Sequence, residues 1–213
     1  MVKKDKNGYI SDPDNELMRK IGSGEVAAFK QLVEKYQRMV MATIYRYTGS
    51  SHEVEDLAQE IFFKIYKAAK RYTPQAKFST WLYRVVANHC FNYRRSQKRD
   101  VTVVSLDHSF SGEDKPSLQI AETEEKQPEN RVLQKEIEEA LKKAINELPD
   151  RQRMAILLYR FEGLSYREIT KVLGCSLSSV ESLLFRAMTS LKEKLRQRGW
   201  SNGVAWLRSA KLD

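Results

Sequence analysis

Three groups of side chains in this chain have types and spacings suited to chemistry, and in each group the chemistry is binding. The stretch from about Ser79 to Ser96 interleaves Tyr83, Arg84, Asn88, Phe91, Arg94 and Arg95 with Trp81 and Tyr93. Cations can hold a phosphate backbone, while aromatic faces and amides can hold unstacked bases. The mixture suits a single strand drawn out of a duplex, where unpairing one base costs only a few kcal/mol. The competing reading makes the aromatics core and the arginines solvated, and Trp81 with Leu82 is expected to be core. Asn88 is assigned to function, because an amide is a poor helix former in mid-helix. In the second group Asp56, Gln59 and Glu60 share one helical face in an otherwise basic protein. That face is either solvated or a docking site. The third group is a helix-turn-helix. Its candidate DNA contacts are Ser178, Ser179, Ser182, Phe185 and Arg186, with Arg167 and Glu181 counted alongside. No nucleophile–base pair, metal-ligand cluster or phosphate loop stands out, so neither catalysis nor a cofactor is expected.

These groups need helices to position them. Apolar residues recur at helical spacing nearly throughout, and no strand-like alternation is visible. A short helix around Asn15 to Ile21 precedes three long ones. Ser23 is expected to cap the first, through Ile44 to a stop at Gly49. Ser50 with Glu53 forms a capping-box pair for the second, which Pro74 ends, and Ser79 caps the third. From about Ser105 to Asn130 the periodicity is lost. Seven acids face two lysines there, about −5 net, which reads as a flexible linker. Beyond it, Leu133, Ile137, Leu141, Ala144 and Leu148 mark one helix, and a second spans about Arg151 to Phe161.

The helix-turn-helix then opens with a Ser165–Glu168 capping box. Gly174 makes the turn, Leu177 is expected to plug the angle, and Ser178 with Glu181 supplies a second capping box. Glu181 has two roles open to it, as that capping partner, which is favoured, or as an acceptor from a cytosine. Leu183 is placed to pack inward or to touch a thymine methyl.

The chain has 213 residues and a net charge of +9, which points to a polyanionic partner. No apolar run reaches the length of a membrane span and no signal peptide is visible, so no membrane insertion is expected. Cys90 and Cys175 are expected to be two buried thiols in a reducing cytoplasm.

Two blocks together resemble the sigma-70 family, in its extracytoplasmic-function branch. One runs Glu55-Asp56-Leu57-Ala58-Gln59-Glu60-Ile61-Phe62, then Phe78-Ser79-Thr80-Trp81 through Asn88. The other runs from Leu148-Pro149 through Glu162-Gly163-Leu164-Ser165-Tyr166-Arg167-Glu168 to Ala187. The resemblance implies an all-α fold of two helical domains joined by a flexible acidic linker. Its expected divisions are a tail at 1–12, a polymerase- and minus-10-binding domain at 13–99, a linker at 100–130, a helix-turn-helix domain at 131–198 and a tail at 199–213. It implies that Asp56, Gln59, Glu60, Phe63 and Lys64 dock on the clamp of the largest polymerase subunit. The minus-10 group is then Tyr83, Arg84, Asn88, Phe91, Arg94 and Arg95. Arg167, Ser178, Ser179, Glu181, Ser182, Phe185 and Arg186 would meet the minus-35 element. The implied partners are core RNA polymerase, including its second-largest subunit, promoter DNA and an anti-sigma factor. The chain departs from the family where Glu181 and Leu183 replace basic residues. A free-standing helix-turn-helix regulator is the alternative reading.

Overall fold

A computed structural model describes residues 12–103 and 128–199. The expectations about residues 1–11, 104–127 and 200–213, which include most of the acidic linker, lie outside these. The described residues form eight helices: α1 (Pro13–Gly22), α2 (Val26–Thr48), α3 (Val54–Ala69), α4 (Phe78–Val103), α5 (Pro128–Asn146), α6 (Asp150–Arg160), α7 (Tyr166–Leu173) and α8 (Leu177–Gln197). No strand occurs among them, as the all-α expectation requires.

The first four helices are pinned by buried polar groups as well as by packing. Asp12 caps α1, its Oδ1 accepting from the Asp14 amide at 3.0 Å. Its Oδ2 also accepts from the amide of Phe78, the first residue of α4, at 2.8 Å. One carboxylate therefore serves two helix starts, where backbone N–H groups lack partners of their own. Ser79, expected as the cap of α4, lies within the helix. Asp14 is buried and accepts from Lys35 and Tyr36. Around these groups α2 contributes Leu32, Val40 and Ile44 to the core, α3 Ile61 and Ile65, and α4 Leu82, Val86 and Cys90, all fully buried. Removing each large side chain from water contributes about 1.5–3 kcal/mol. Leu82 is core as expected, whereas Trp81 is half-buried and meets Tyr72 edge-on at 4.9 Å.

Two more expected caps are displaced. Ser23 donates its hydroxyl to the Lys20 carbonyl, closing α1, and the N-cap of α2 is Glu25 without a side-chain bond. Ser50 does not pair with Glu53, which is itself the N-cap position of α3; the Ser50 hydroxyl accepts from the His52 amide. Gly49 does end α2, in the left-handed conformation with φ 78°.

The second four helices bury Met154, Ile156, Leu157, Ile169, Val180 and Leu191. The two halves of the chain are not held apart. Helix α7 packs on α4, and α2 meets both α5 and α6, so one connected apolar cluster runs through all of them. Arg153 of α6 is fully buried and spans the junction. Its guanidinium donates to the carbonyls of Ile145 at 3.0 Å, Tyr47 at 2.8 Å and Leu148 at 3.4 Å. Cys90 is buried, and burial pushes its thiol up to about 12. Cys175 is only partly buried, against expectation, because it sits in the turn after α7.

Candidate nucleic-acid and protein interfaces

On α3, Asp56, Gln59, Glu60, Phe63 and Lys64 are all exposed. They lie opposite the buried set Leu57, Ala58, Ile61, Phe62 and Ile65, so amphipathic spacing alone turns them outward. Phe63 is 56% exposed and Tyr66 42%, and the Lys67 ammonium lies 4.1 Å from the Phe63 ring centroid. An apolar ring thus sits beside the carboxylates. Glu60 and Lys64 also reach α4 through His89. Lys64 donates to His89 Nδ1 at 2.6 Å, and an ammonium can only donate. The neutral ring must therefore carry its proton on Nε2, which faces Glu60 at 3.1 Å. Burial and the adjacent Lys64 hold the His89 pKa below its ordinary value, against the pull of Glu60.

On α4, Arg84, Asn88 and Arg95 are exposed, and Phe91 is half-buried against Tyr47 with ring centroids 6.0 Å apart. Tyr83 and Arg94 are engaged within the chain. Tyr83 is buried and donates to Glu162 Oε2 at 2.7 Å. Burial first, then the Glu162 carboxylate, pushes the phenol pKa well up, so it stays a donor. Arg94 pairs with Asp150 at 2.8 Å.

Sequence reasoning missed a cationic groove of about 1240 Å³ between α3, the 70–77 loop, α4 and α7. Lys64, Lys67, Lys70, Arg71, Arg84 and Lys171 line it together with Trp81, and no carboxylate does. Lys67, Lys70 and Arg71 at one-turn spacing were the available signal. The contribution of Lys171 depends on tertiary packing.

The helix-turn-helix forms as spaced. Ser165 caps α7 through a complete capping box, with the Ser165 amide donating to Glu168 Oε2 at 3.0 Å and the Glu168 amide to Ser165 Oγ at 3.4 Å. The Ser165 hydroxyl, donating to Glu168 Oε2 at 2.7 Å, lowers the Glu168 pKa, and the Ser165 amide adds to this. Gly174 makes the turn with φ 61°, a left-handed conformation that costs glycine little. The cap of α8, however, is Ser176, whose hydroxyl accepts from the Ser179 amide at 3.2 Å. The helix begins two residues earlier than the Ser178–Glu181 pairing requires, so Glu181 is not a capping partner. Leu177 is the first helical residue and 44% exposed, so it does not plug the angle; the buried side chains there are Val172, Leu173 and Val180. Leu183 is half-buried against the core. Ser178, Ser179, Glu181, Ser182, Phe185 and Arg186 are exposed at one-turn spacings along α8, with Phe185 at 72%. Arg167 is exposed on α7.

Among the described residues no cluster of His, Cys, Asp or Glu could hold a metal ion, and no helix is long and apolar enough to cross a membrane.

Comparison with known proteins gives a consistent result. Residues 32–100 match the family described as Sigma-70 region 2, and residues 138–191 match Sigma-70, region 4. The chain is 34% identical to the RNA polymerase sigma-H factor of Pseudomonas aeruginosa, over 87% of this chain and 95% of that protein. It is also 34% identical to the ECF RNA polymerase sigma-E factor of Escherichia coli K12, over 86% of this chain and 94% of that one. Among solved structures, CnrH in complex with the cytosolic domain of CnrY aligns with TM-score 0.60 and 23% identity, covering 87% of this chain and 99% of that one. The sigma factor RpoE of Bartonella quintana, in complex with the anti-sigma factor NepR, aligns with TM-score 0.60 and 21% identity, covering 79% and 96%.

Proposed function

The chain belongs to the extracytoplasmic-function branch of the sigma-70 family and directs RNA polymerase to promoters, and from that premise we propose how its parts divide the task. The working units are residues 13–99 and 131–198. The exposed face of α3, with Asp56, Gln59, Glu60, Phe63 and Lys64, docks on the clamp of the largest polymerase subunit. Helix α4 takes the opened minus-10 strand: Asn88 contacts a base, and Arg84 and Arg95 hold phosphates beside the cationic groove. Tyr83, Phe91 and Arg94 complete the proposed minus-10 group. The α8 stripe, with Arg167 of α7, meets the minus-35 element in the major groove. Core polymerase, including its second-largest subunit, is the proposed partner of the whole chain. The protein performs no reaction of its own and acts in the cytoplasm. An anti-sigma factor is its expected regulator, as for other members of this branch.

The observation that carries this division is the exposure of all five docking residues of α3 on one face, beside a helix that presents Arg84 and Asn88. Run-off transcription with core polymerase on genomic fragments tests it. Discrete transcripts should require the chain. A folded Asp56→Lys/Glu60→Lys variant should lose them through weaker polymerase binding. If that variant competes for core enzyme as well as the wild type does, the docking face is wrongly placed.

A further inference from the structure

We infer that Glu181 is a specificity-determining residue of the helix-turn-helix: its carboxylate accepts from the amino group of a cytosine in the major groove of the upstream element, and so selects a C·G pair at one position. This rests on the reading of α8 as the minus-35 helix.

Glu181 is exposed in the second turn of α8, and the fold gives it no structural task. Ser176 supplies the cap of that helix through its bond from the Ser179 amide. No described residue forms a hydrogen bond or ion pair with the Glu181 carboxylate. Leu183, by contrast, is turned toward the core.

The surroundings of Glu181 are those of a base-reading position. Ser178 lies one turn before it and Phe185 one turn after it, both exposed on the same side of the helix. On its other flank stands Tyr166, the first residue of α7. Burial, then Tyr159, then the charge of Glu181 raise the Tyr166 pKa. Glu181 thus sits between the exposed stripe of α8 and the start of α7, where Arg167 is also exposed. In a bound helix-turn-helix the N-terminal part of the second helix meets base edges while the first crosses the backbone, so this is the side toward DNA.

A carboxylate there is repelled by the phosphates of any sequence. Only a base that offers a donor offsets that repulsion. Cytosine presents its N4 amino group in the major groove. Guanine presents the acceptors O6 and N7, thymine presents O4, and the amino group of adenine stands beside the acceptor N7. The hydroxyls of Ser178, Ser179 and Ser182 can donate or accept, so they sort bases less sharply. Glu181 discriminates twice, by accepting from the right base and by repelling the wrong ones.

The test uses the full chain with core polymerase, on a promoter found by run-off transcription and carrying a randomised upstream element. Retained sequences are compared for the wild type, Glu181→Gln, Glu181→Ala and Glu193→Gln. The last makes the same change in charge at an exposed site late in α8. Urea unfolding reports folding. The wild type should favour cytosine about tenfold at one position, on one strand. Glu181→Gln should move that preference to adenine, whose N6 and N7 a glutamine engages together. Glu181→Ala should flatten it and leave the other positions alone, and Glu193→Gln should alter none. A base profile that folded Glu181→Ala leaves unaltered overturns the proposal, even if binding tightens uniformly, because the carboxylate is then merely solvated. So does a wild-type preference for another base at the position that changes. In either case the wild type still transcribes and only the role of Glu181 is lost. A wild type that yields no discrete transcript overturns the promoter-directing function itself.

Discussion

Asn88 and His89 are neighbours on α4 with opposite fates, one exposed and one buried. Asn88 has no packing to lose, so Asn88→Ala should leave folding and polymerase binding intact. It should weaken promoter opening by the roughly 1–3 kcal/mol of a lost base contact. Permanganate reactivity of the opened bases reports this directly, and normal melting by the variant would make Asn88 a bystander. His89 instead couples stability to pH. Its pKa is depressed from 6.5 in the folded chain by burial and Lys64, so the unfolded chain takes up the proton first as pH falls. The stability held by the neutral ring is full above the unfolded value. It declines as pH drops through it and stops declining below the folded value. Urea unfolding between about pH 7.5 and about pH 5.5 should show a shallower slope for His89→Gln than for wild type. Equal slopes would mean that the ring titrates alike in both states.

At the level of elements, the helix caps separate what sequence spacing conveys from what it does not. The Ser165–Glu168 box was legible because both partners lie within one turn and each bonds the other's amide. Ser178–Glu181 has the same spacing and fails, because Ser176 offers a hydroxyl two residues earlier and the helix starts there. Asp12 as the partner of the Phe78 amide, 66 positions away, could not be read from any local pattern. The order and extent of the helices, the exposed α3 face and the α8 stripe follow from periodicity, which is a local property. The engagement of Tyr83 and Arg94 does not, since Glu162 and Asp150 arrive from 79 and 56 positions away through packing. Ser176→Ala and Ser165→Ala should each cost about 0.5–2 kcal/mol in urea unfolding, while Ser178→Ala costs nothing measurable. A loss at Ser178 matching that at Ser176 would return the cap to its expected place. With Glu181 released from capping, Glu181→Gln should leave stability unchanged.

For the molecule as a whole, Arg153 is the buried fastener. It has three carbonyl partners, on the last turn of α2, within α5 and in the turn before α6. Arg153→Met keeps much of the volume but takes a donor from all three carbonyls, leaving Ile145 only the Leu148 amide, and should lower stability by about 2–4 kcal/mol. Arg153→Lys should recover only part of it, since an ammonium cannot span three carbonyls as a planar fork does. A loss below about 1 kcal/mol in the Met variant would show that water reaches the carbonyls.

The exposure of α3 in this same arrangement has a kinetic consequence. Asp56, Gln59 and Phe63 are exposed, while Tyr83 is buried against Glu162 and Arg94 is half-buried and paired with Asp150. Encounter can therefore precede rearrangement, as in induced fit rather than prior selection of an opened form. Stopped-flow mixing with excess core enzyme should resolve a fast phase whose rate climbs with enzyme concentration. A slower phase that ignores concentration should follow, its rate being that at which Tyr83 and Arg94 exchange away from Glu162 and Asp150.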